Sequence, residues 1–467
     1  MPMSNDNNCV IIIYNIMIVL FIFRRDLRTF DNTTLNFIKS KYPKASILPI
    51  FIFNKIQIDE KINKYYSKNS AQFLFESLDD LSSYLKELNF YYTDNEIDII
   101  NKINKKFKLD YIAYNKDYTP YAKKRDYEIE KYAKQNKIEI ISKEDYTLHD
   151  IGTILKDDKK PYLKYTPFYN KSILKIPNPV NSNTKFNFIK NPSSSSLNQM
   201  NFIRPIENKN IFVNGGRKNA LLILNKLKTG YYDKYDSERE YPFLNKTTRL
   251  SAYIKFGCVS IREIYFSLPI KHGIIRELFW HDFYAIITFY FPYIFEKSFL
   301  TKYEKVKWDY NEVLLNKWKS GMTGFPIVDA AMRQLNESGW MHNRCRMIVA
   351  SFLTKNLFMY WKHGEKYFAS KLVDYDPSSN NGGWQWCAST GTDCQPYFRI
   401  FSPLQQLKKY DKDCKYVKKW IPELRNVPNK IIINWETKNK DININYPKPI
   451  LDIKETSKLF IKRFKEI

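Results

Sequence analysis

The chain has 467 residues, 44% of them hydrophobic, enough to bury a sizeable core in two domains, so disorder is not its default state. Its 75 basic residues outnumber 49 acidic ones, and the net charge of +26 favours a polyanionic partner, nucleic acid before an anionic membrane surface. The six cysteines include no CxxC pair and the five histidines no ligand-spaced cluster, which argues against a disulfide framework and a metal site and for a reducing, intracellular compartment. An AT-rich coding sequence would also enrich Lys, Asn, Ile and Tyr, so charge alone does not settle the partner.

In chain order, the apolar run CVIIIYNIMIVLFIF at 9–23 is shorter than the roughly 18 residues of a membrane span. No basic region precedes it, and Asn15 interrupts it. Its second half, 18–23, reads as a buried parallel strand, and Met17 is an alternative start that leaves 1–16 as an extension. Further strands are expected at 46–53, 111–114 and 138–141, with helices over 72–88 and 123–135. This alternation predicts a doubly wound parallel sheet, an α/β domain across 17–150. No GxGxxG follows the first strand; FRRDLRTFDN at 23–32 fills that turn instead, where ligands or domain contacts often lie. Prolines, asparagines and the serine run at 193–196 mark 151–210 as an irregular connector across the surface. The remainder, 211–467, reads as all-α. Pro326 suits a first helical turn, Ile327, Ala331 and Leu335 recur four apart, and Gly339 supplies the stop. Ile348, Phe352, Leu353 and Trp361 extend the pattern.

Four segments of the helical half carry unusual chemistry. In YDSEREYPFLNKTTRLS (235–251), Thr247, Thr248 and Ser251 surround Arg249 at a helix start, which suits a phosphate, although threonine before a helix is more often an ordinary N-cap. In ELFWHDFY (277–284), Glu277, Trp280, His281 and Tyr284 share one helix face, either a nucleobase platform or an amphipathic edge. In GWMHNRCRM (339–347), Asn343, Arg346 and Met347 lie on neighbouring faces with Arg344 projecting elsewhere, a mixture that suits a flat ligand. In VDYDPSSNNGGWQW (373–386), two aspartates precede paired glycines and two tryptophans, as if backbone were bared beside an aromatic ligand.

These segments resemble the photolyase/cryptochrome flavoproteins, and among them the class I cyclobutane pyrimidine dimer photolyases. The resemblance rests on SGMTGFPIVDAAMRQLNESGWMHNRCRMIVASFL, WKHGEKYF, LVDYDPSSNNGGWQWCASTGTDCQPYFRIFSP and WIPEL, in that order. It runs from about residue 17 to the C-terminus and is densest over 321–403.

The resemblance implies an FAD held folded in the helical domain. Tyr235 and Thr247, Thr248, Arg249, Leu250 and Ser251 would bind its phosphates, and Asp374, Tyr375 and Asp376 would line the ring system and ribose. Arg346 would pair with Asp374, Asn380 would face flavin N5, and Gly382 and Gly383 would let backbone approach. Trp384, Trp361 and Trp308 would carry electrons to the surface. Glu277, Trp280, Asn343, Met347 and Trp386 would enclose a flipped dimer, with Tyr284 and His281 beside them, while Arg239, Arg344 and Arg399 would hold phosphates. The implied activity is light-dependent repair of cyclobutane dimers in UV-damaged duplex DNA by a monomer acting without membrane or metal. Two positions depart from the pattern: Ile274 replaces a tryptophan, and His281 an arginine. Tyr121 and Ala122 replace the folate-binding pair of some members, so a folate antenna is not expected, and a deazaflavin, a second flavin or no antenna stay open. A six-four photolyase would show paired histidines where Asn343 and Met347 stand, and a cryptochrome photoreceptor often carries a long tail.

Overall fold

The computed structural model describes residues 17–182, 185–439 and 443–467; the 1–16 extension lies outside them. Strands β1 (Ile18–Phe23), β2 (Ser46–Asn54), β3 (Asn89–Thr93), β4 (Tyr111–Asn115) and β5 (Glu139–Lys143) form a wholly parallel sheet in the order β3-β2-β1-β4-β5. The chain winds outward from β1 on one side, then returns to begin β4 on the other, the doubly wound arrangement expected. β1 shows why its run is continuously apolar. Val19, Phe21 and Phe23 face a cluster that continues into the helical half through Leu250, Phe256 and Phe279, whereas Leu20 and Ile22 meet Ile100, Ile103 and Ile129 on the opposite face. One cluster thus spans sheet and helices, a second lies wholly within the helical half, and the turn after β1 is pressed against that half.

Several elements differ from expectation. β3 and the helix Glu96–Phe107 were not foreseen, because NFYYT is short and shows no alternation. The 72–88 helix runs Lys68–Tyr84: the Ser67 side chain accepts from the Ser70 N–H at 3.2 Å, and the chain beyond Leu85 turns into β3. Thr119 and Pro120 open the next helix, Pro120–Gln135, earlier than its apolar spacing indicates. The connector is not uniformly irregular: it holds a helix, Tyr165–Ser172, and a 3-10 turn, Leu197–Ile203.

In the helical half, Pro326–Ser338 ends at Gly339 in the left-handed region (φ +67°), as its spacing indicates. The following pattern is interrupted: Asn343–Ser351 opens into a π turn at Phe352–Asn356, and Trp361 begins a separate helix, Trp361–Lys371. Asp376 caps the helix Pro377–Ala388, so the glycine–tryptophan stretch is helical. Among the described residues no helix is long and apolar enough to cross a membrane.

Candidate active site

A cavity of about 530 Å³ opens between the helices Gly273–Tyr290, Asn343–Ser351 and Pro377–Ala388 and the segment around Thr247–Lys255. Every site residue expected from the sequence lines it except Trp308, Trp361, Gly382 and Arg399. The three-and-four spacing brings Glu277, Trp280, His281 and Tyr284 to one wall, as predicted. Trp280 is backed by Tyr165 of the connector, the rings stacked at 3.6 Å and 6°. Tyr165 in turn donates from its hydroxyl to the Arg276 carbonyl at 2.6 Å.

The ledge at Thr247–Ser251 has the chemistry of an anion seat. Arg249 adopts φ +57° just before the short helix Leu250–Lys255. Its guanidinium lies 3.9 Å from the Phe212 ring centroid and forms no ion pair among the described residues. Arg249 Nε and Thr247 Oγ1 are both buried without a hydrogen-bond partner. Buried donors left unpaired are costly, and a phosphate would satisfy both. The Thr248 hydroxyl, by contrast, accepts from the Leu250 N–H at 3.4 Å.

The two aspartates form the floor. Asp374 accepts from Arg346 at 2.9 and 3.1 Å and from the Ser251 hydroxyl at 2.7 Å, so the expected Arg346 pairing is present. Asp376 is held across the domain boundary: Arg25, in the turn after β1, donates at 2.5 Å, Tyr146 at 2.6 Å and the Ser379 N–H at 2.9 Å. Burial pushes the Asp376 carboxyl up, but Arg25, His281 and the hydrogen bonds more than reverse this and hold it well below the usual carboxylate range. Neither acid is a solvated surface charge.

Asn380 donates through Nδ2 to the Glu365 carbonyl at 3.1 Å, which fixes the amide and leaves Oδ1 as the acceptor for a ligand N–H. Beneath it, Asn381 donates to the Glu365 carboxylate at 3.0 Å. Burial raises Glu365 to about 7, against a hydrogen bond from Asn381 that lowers it. The paired glycines differ in what stands opposite them. A Cβ on Gly383 would meet nothing within 4 Å, whereas one on Gly382 would lie 2.1 Å from the Tyr284 ring. Gly382 therefore serves helix packing, not the cavity, a correction to the expectation that both admit a ligand. Gly364 makes room for Trp384, since a Cβ there would lie 2.0 Å from its ring.

Trp384 and Trp386, two residues apart on one helix, face different surroundings. Trp384 is buried edge-on against Phe368 (4.9 Å) and Trp318 (6.1 Å), while Trp386 is half-buried at the cavity. Trp361 shares the Trp384 cluster and is fully buried. Tyr360 stands between Trp361 (5.5 Å) and the partly exposed Trp308 (6.0 Å), an aromatic step that the expected chain omitted.

Four charges line the mouth. Arg239 donates to Glu277 at 2.5 Å and lies 3.7 Å from Glu240, while Arg344 donates to Glu240 through Nε at 2.7 Å and through Nη2. Asn343 and Met347 lie at the rim, Nδ2 to sulfur 3.8 Å. Sequence reasoning missed Lys255, which lines the cavity and is lowered to about 8 by burial and by Arg25, as well as Glu365, Arg25, Tyr146 and Glu240. Glu365, Glu240 and Arg25 were within reach, because they lie in the quoted WKHGEKYF, YDSEREYPFLNKTTRLS and FRRDLRTFDN; Lys255 and Tyr146 depend on contacts that spacing does not encode. Ile274 is buried at the cavity wall, and His281 packs edge-on to Tyr146 at 4.3 Å. Among the described residues no His, Cys, Asp or Glu group is arranged to hold a metal.

Residues 19–182 match the family model described as DNA photolyase, and residues 274–466 that of the FAD binding domain of DNA photolyase. A deoxyribodipyrimidine photo-lyase of Buchnera aphidicola is 36% identical over 95% of this chain and 96% of its own length. An archaeal photolyase from Sulfolobus tokodaii, solved with two FAD molecules, superposes with a TM-score of 0.86 at 36% identity, covering 97% of this chain and all of that one. A class III photolyase from Agrobacterium tumefaciens gives 0.88 at 28% identity, covering 98% and 99%. The chain belongs to the DNA photolyase family.

Proposed function

We propose that the protein is a light-dependent DNA photolyase that binds FAD in the cavity and repairs cyclobutane pyrimidine dimers flipped into its mouth. One observation carries the reading: a ledge with orphaned donors, a fixed amide acceptor and an aromatic wall with a carboxylate converge on one cavity. FAD, when bound, reduced and excited by light, would supply the electron that opens the cyclobutane ring and take it back once the two pyrimidines have separated, so that the repair is redox-neutral overall. The chain's residues supply the rest. Arg249, Thr247, Thr248, Leu250 and Ser251 hold phosphate, with Tyr235 beside them. Asp374, Tyr375 and Asp376 shape the floor, and the Asn380 oxygen accepts from the ring N–H. Trp384, Trp361 and Trp308 form the electron path from the surface, with Tyr360 between the last two.

At the mouth, Trp280 and Trp386 offer faces to the extruded pyrimidines, and Glu277 meets a base edge. Asn343, Met347, Tyr284 and His281 close the pocket around them. Extrusion costs less for a lesion that already pairs poorly, which favours damaged sites. Arg344 and the exposed Arg399, within a strongly basic chain, meet the DNA backbone, so binding weakens steeply with salt. The protein acts as a monomer inside the cell. Folate is not the second chromophore in this reading, because Ala122 is buried and offers no side-chain donor where the pair would act.

The test is a purified sample loaded with FAD, reduced, and illuminated with blue light alongside a dimer-containing oligonucleotide. Loss of dimer in light and not in darkness is expected; unchanged dimer with FAD bound and reduced would overturn the reading. The absorption spectrum of the same sample reports any second chromophore.

A further inference from the structure

Arg239 stands where a phosphate contact is expected, yet its surroundings are acidic. Its Nη1 is 2.5 Å from Glu277 Oε1, and its Nε is 3.7 Å from Glu240 Oε1. Its guanidinium also lies over Tyr235, 5.3 Å from the ring centroid. Glu240 is held from the other side by Arg344, itself 4.5 Å over the Tyr410 ring. The four charges alternate in sign along the mouth and sum to zero, in a chain whose net charge is +26. A phosphate approaching Arg239 would meet two carboxylates at the same guanidinium, and these offset its attraction. Arg344 and Arg399 are better placed to hold a phosphate. Arg344 is shared with a single acid, and Arg399 is exposed and in no ion pair among the described residues.

We propose that Arg239 is a positioning residue for Glu277, setting preference for the lesion, and that it is not a contact to the DNA backbone. This rests on the photolyase reading and deepens it. A half-exposed carboxylate on a helix can turn into several rotamers. An arginine fork pins one oxygen and leaves the other to accept from a pyrimidine N–H. The Tyr235 ring and Glu240 hold that fork in place. Lysine would preserve the counter-charge; glutamine would not.

The experiment measures equilibrium binding of the FAD-loaded protein to two duplex oligonucleotides, one undamaged and one with a single cyclobutane dimer, across a salt series. Arg239→Gln, Arg239→Lys, Glu277→Gln and the double variant Arg239→Gln/Glu277→Gln are compared. Arg239→Gln is expected to cut the preference for the dimer duplex by about tenfold, in line with a lost charge-assisted hydrogen bond. Arg239→Lys should retain most of the preference, and Arg239→Gln should cost nothing further once Glu277 is Gln. The salt slope on undamaged duplex should match the wild type in every variant. A slope shallower by about one for Arg239→Gln would identify a phosphate contact and overturn the proposal. An Arg239→Gln loss equally large in the Glu277→Gln background, or no loss in the wild-type background, would also overturn it. Wild-type protein that shows no preference for dimer DNA would count against the photolyase reading instead, and the undamaged-duplex slope would still decide the backbone-contact question for Arg239.

Discussion

The floor and the mouth of the cavity are built from the same residue types and behave differently. On the floor, Asp374 and Asp376 have side chains less than 10% exposed, and each is saturated by an arginine and further donors. At the mouth, Glu240 and Glu277 are each 31% exposed and share Arg239 between them. A buried pair fixes shape even where its arginine also meets a second acid, as Arg25 meets Asp117 at 3.5 Å, because breaking it strands a charge away from water. A half-exposed pair among competing partners can rearrange at small cost. The photolyase reading needs both: a rigid seat for a large cofactor and an adaptable rim for an incoming lesion.

Arg25→Ala tests the floor most severely. It leaves Asp376 buried without its counter-charge and should lower unfolding stability by about 3–5 kcal/mol in chemical denaturation. A loss under about 1 kcal/mol would make floor and mouth equivalent. The glycine pair comes next. Gly382→Ala drives a Cβ into the Tyr284 ring and should cost about 1–3 kcal/mol, read as a lower melting temperature. Gly383→Ala should raise stability by about 0.5–1 kcal/mol, as alanine does for an unhindered glycine inside a helix, while lowering FAD uptake, since its Cβ points into open space beside the cavity. Trp384→Phe concerns the buried side of the same helix. Photoreduction of oxidised flavin should fall sharply, while repair by protein already reduced survives; equal photoreduction in both proteins would remove Trp384 from the electron path.

The last effect is a pH dependence. Glu365 is raised from 4.5 to about 7 in the fold, mainly by burial, so its contribution is complete below pH 4.5 and is lost as pH rises to about 7. The slope contributed is at most about 1.4 kcal/mol per pH unit, and Glu365→Gln should flatten the stability profile across that window.

Much of this site was legible because helices repeat locally. The face shared by Glu277, Trp280, His281 and Tyr284 follows from three-and-four spacing, and the helix from Pro326 to Gly339 follows from its caps. The Arg346–Asp374 pair came from the family resemblance, since 28 residues separate them. What spacing could not show were partners set by the docking of sheet on helices. Asp376 is 351 residues from Arg25 and 230 from Tyr146, and no periodicity links them. Nor could the paired glycines be told apart from sequence, because neighbours on one helix differ by what stands opposite. The short strand β3 escaped for a related reason: its pairing with β2, not its own pattern, defines it.

The most direct measurement compares wild-type and Glu277→Gln protein at equal content of reduced FAD, counting dimers in duplex DNA after blue light and after darkness. The account predicts light-dependent loss of dimers with wild type, a repair yield roughly tenfold lower for the variant, and no loss in darkness for either. Dimers that persist under light with reduced, FAD-loaded wild-type protein would contradict it.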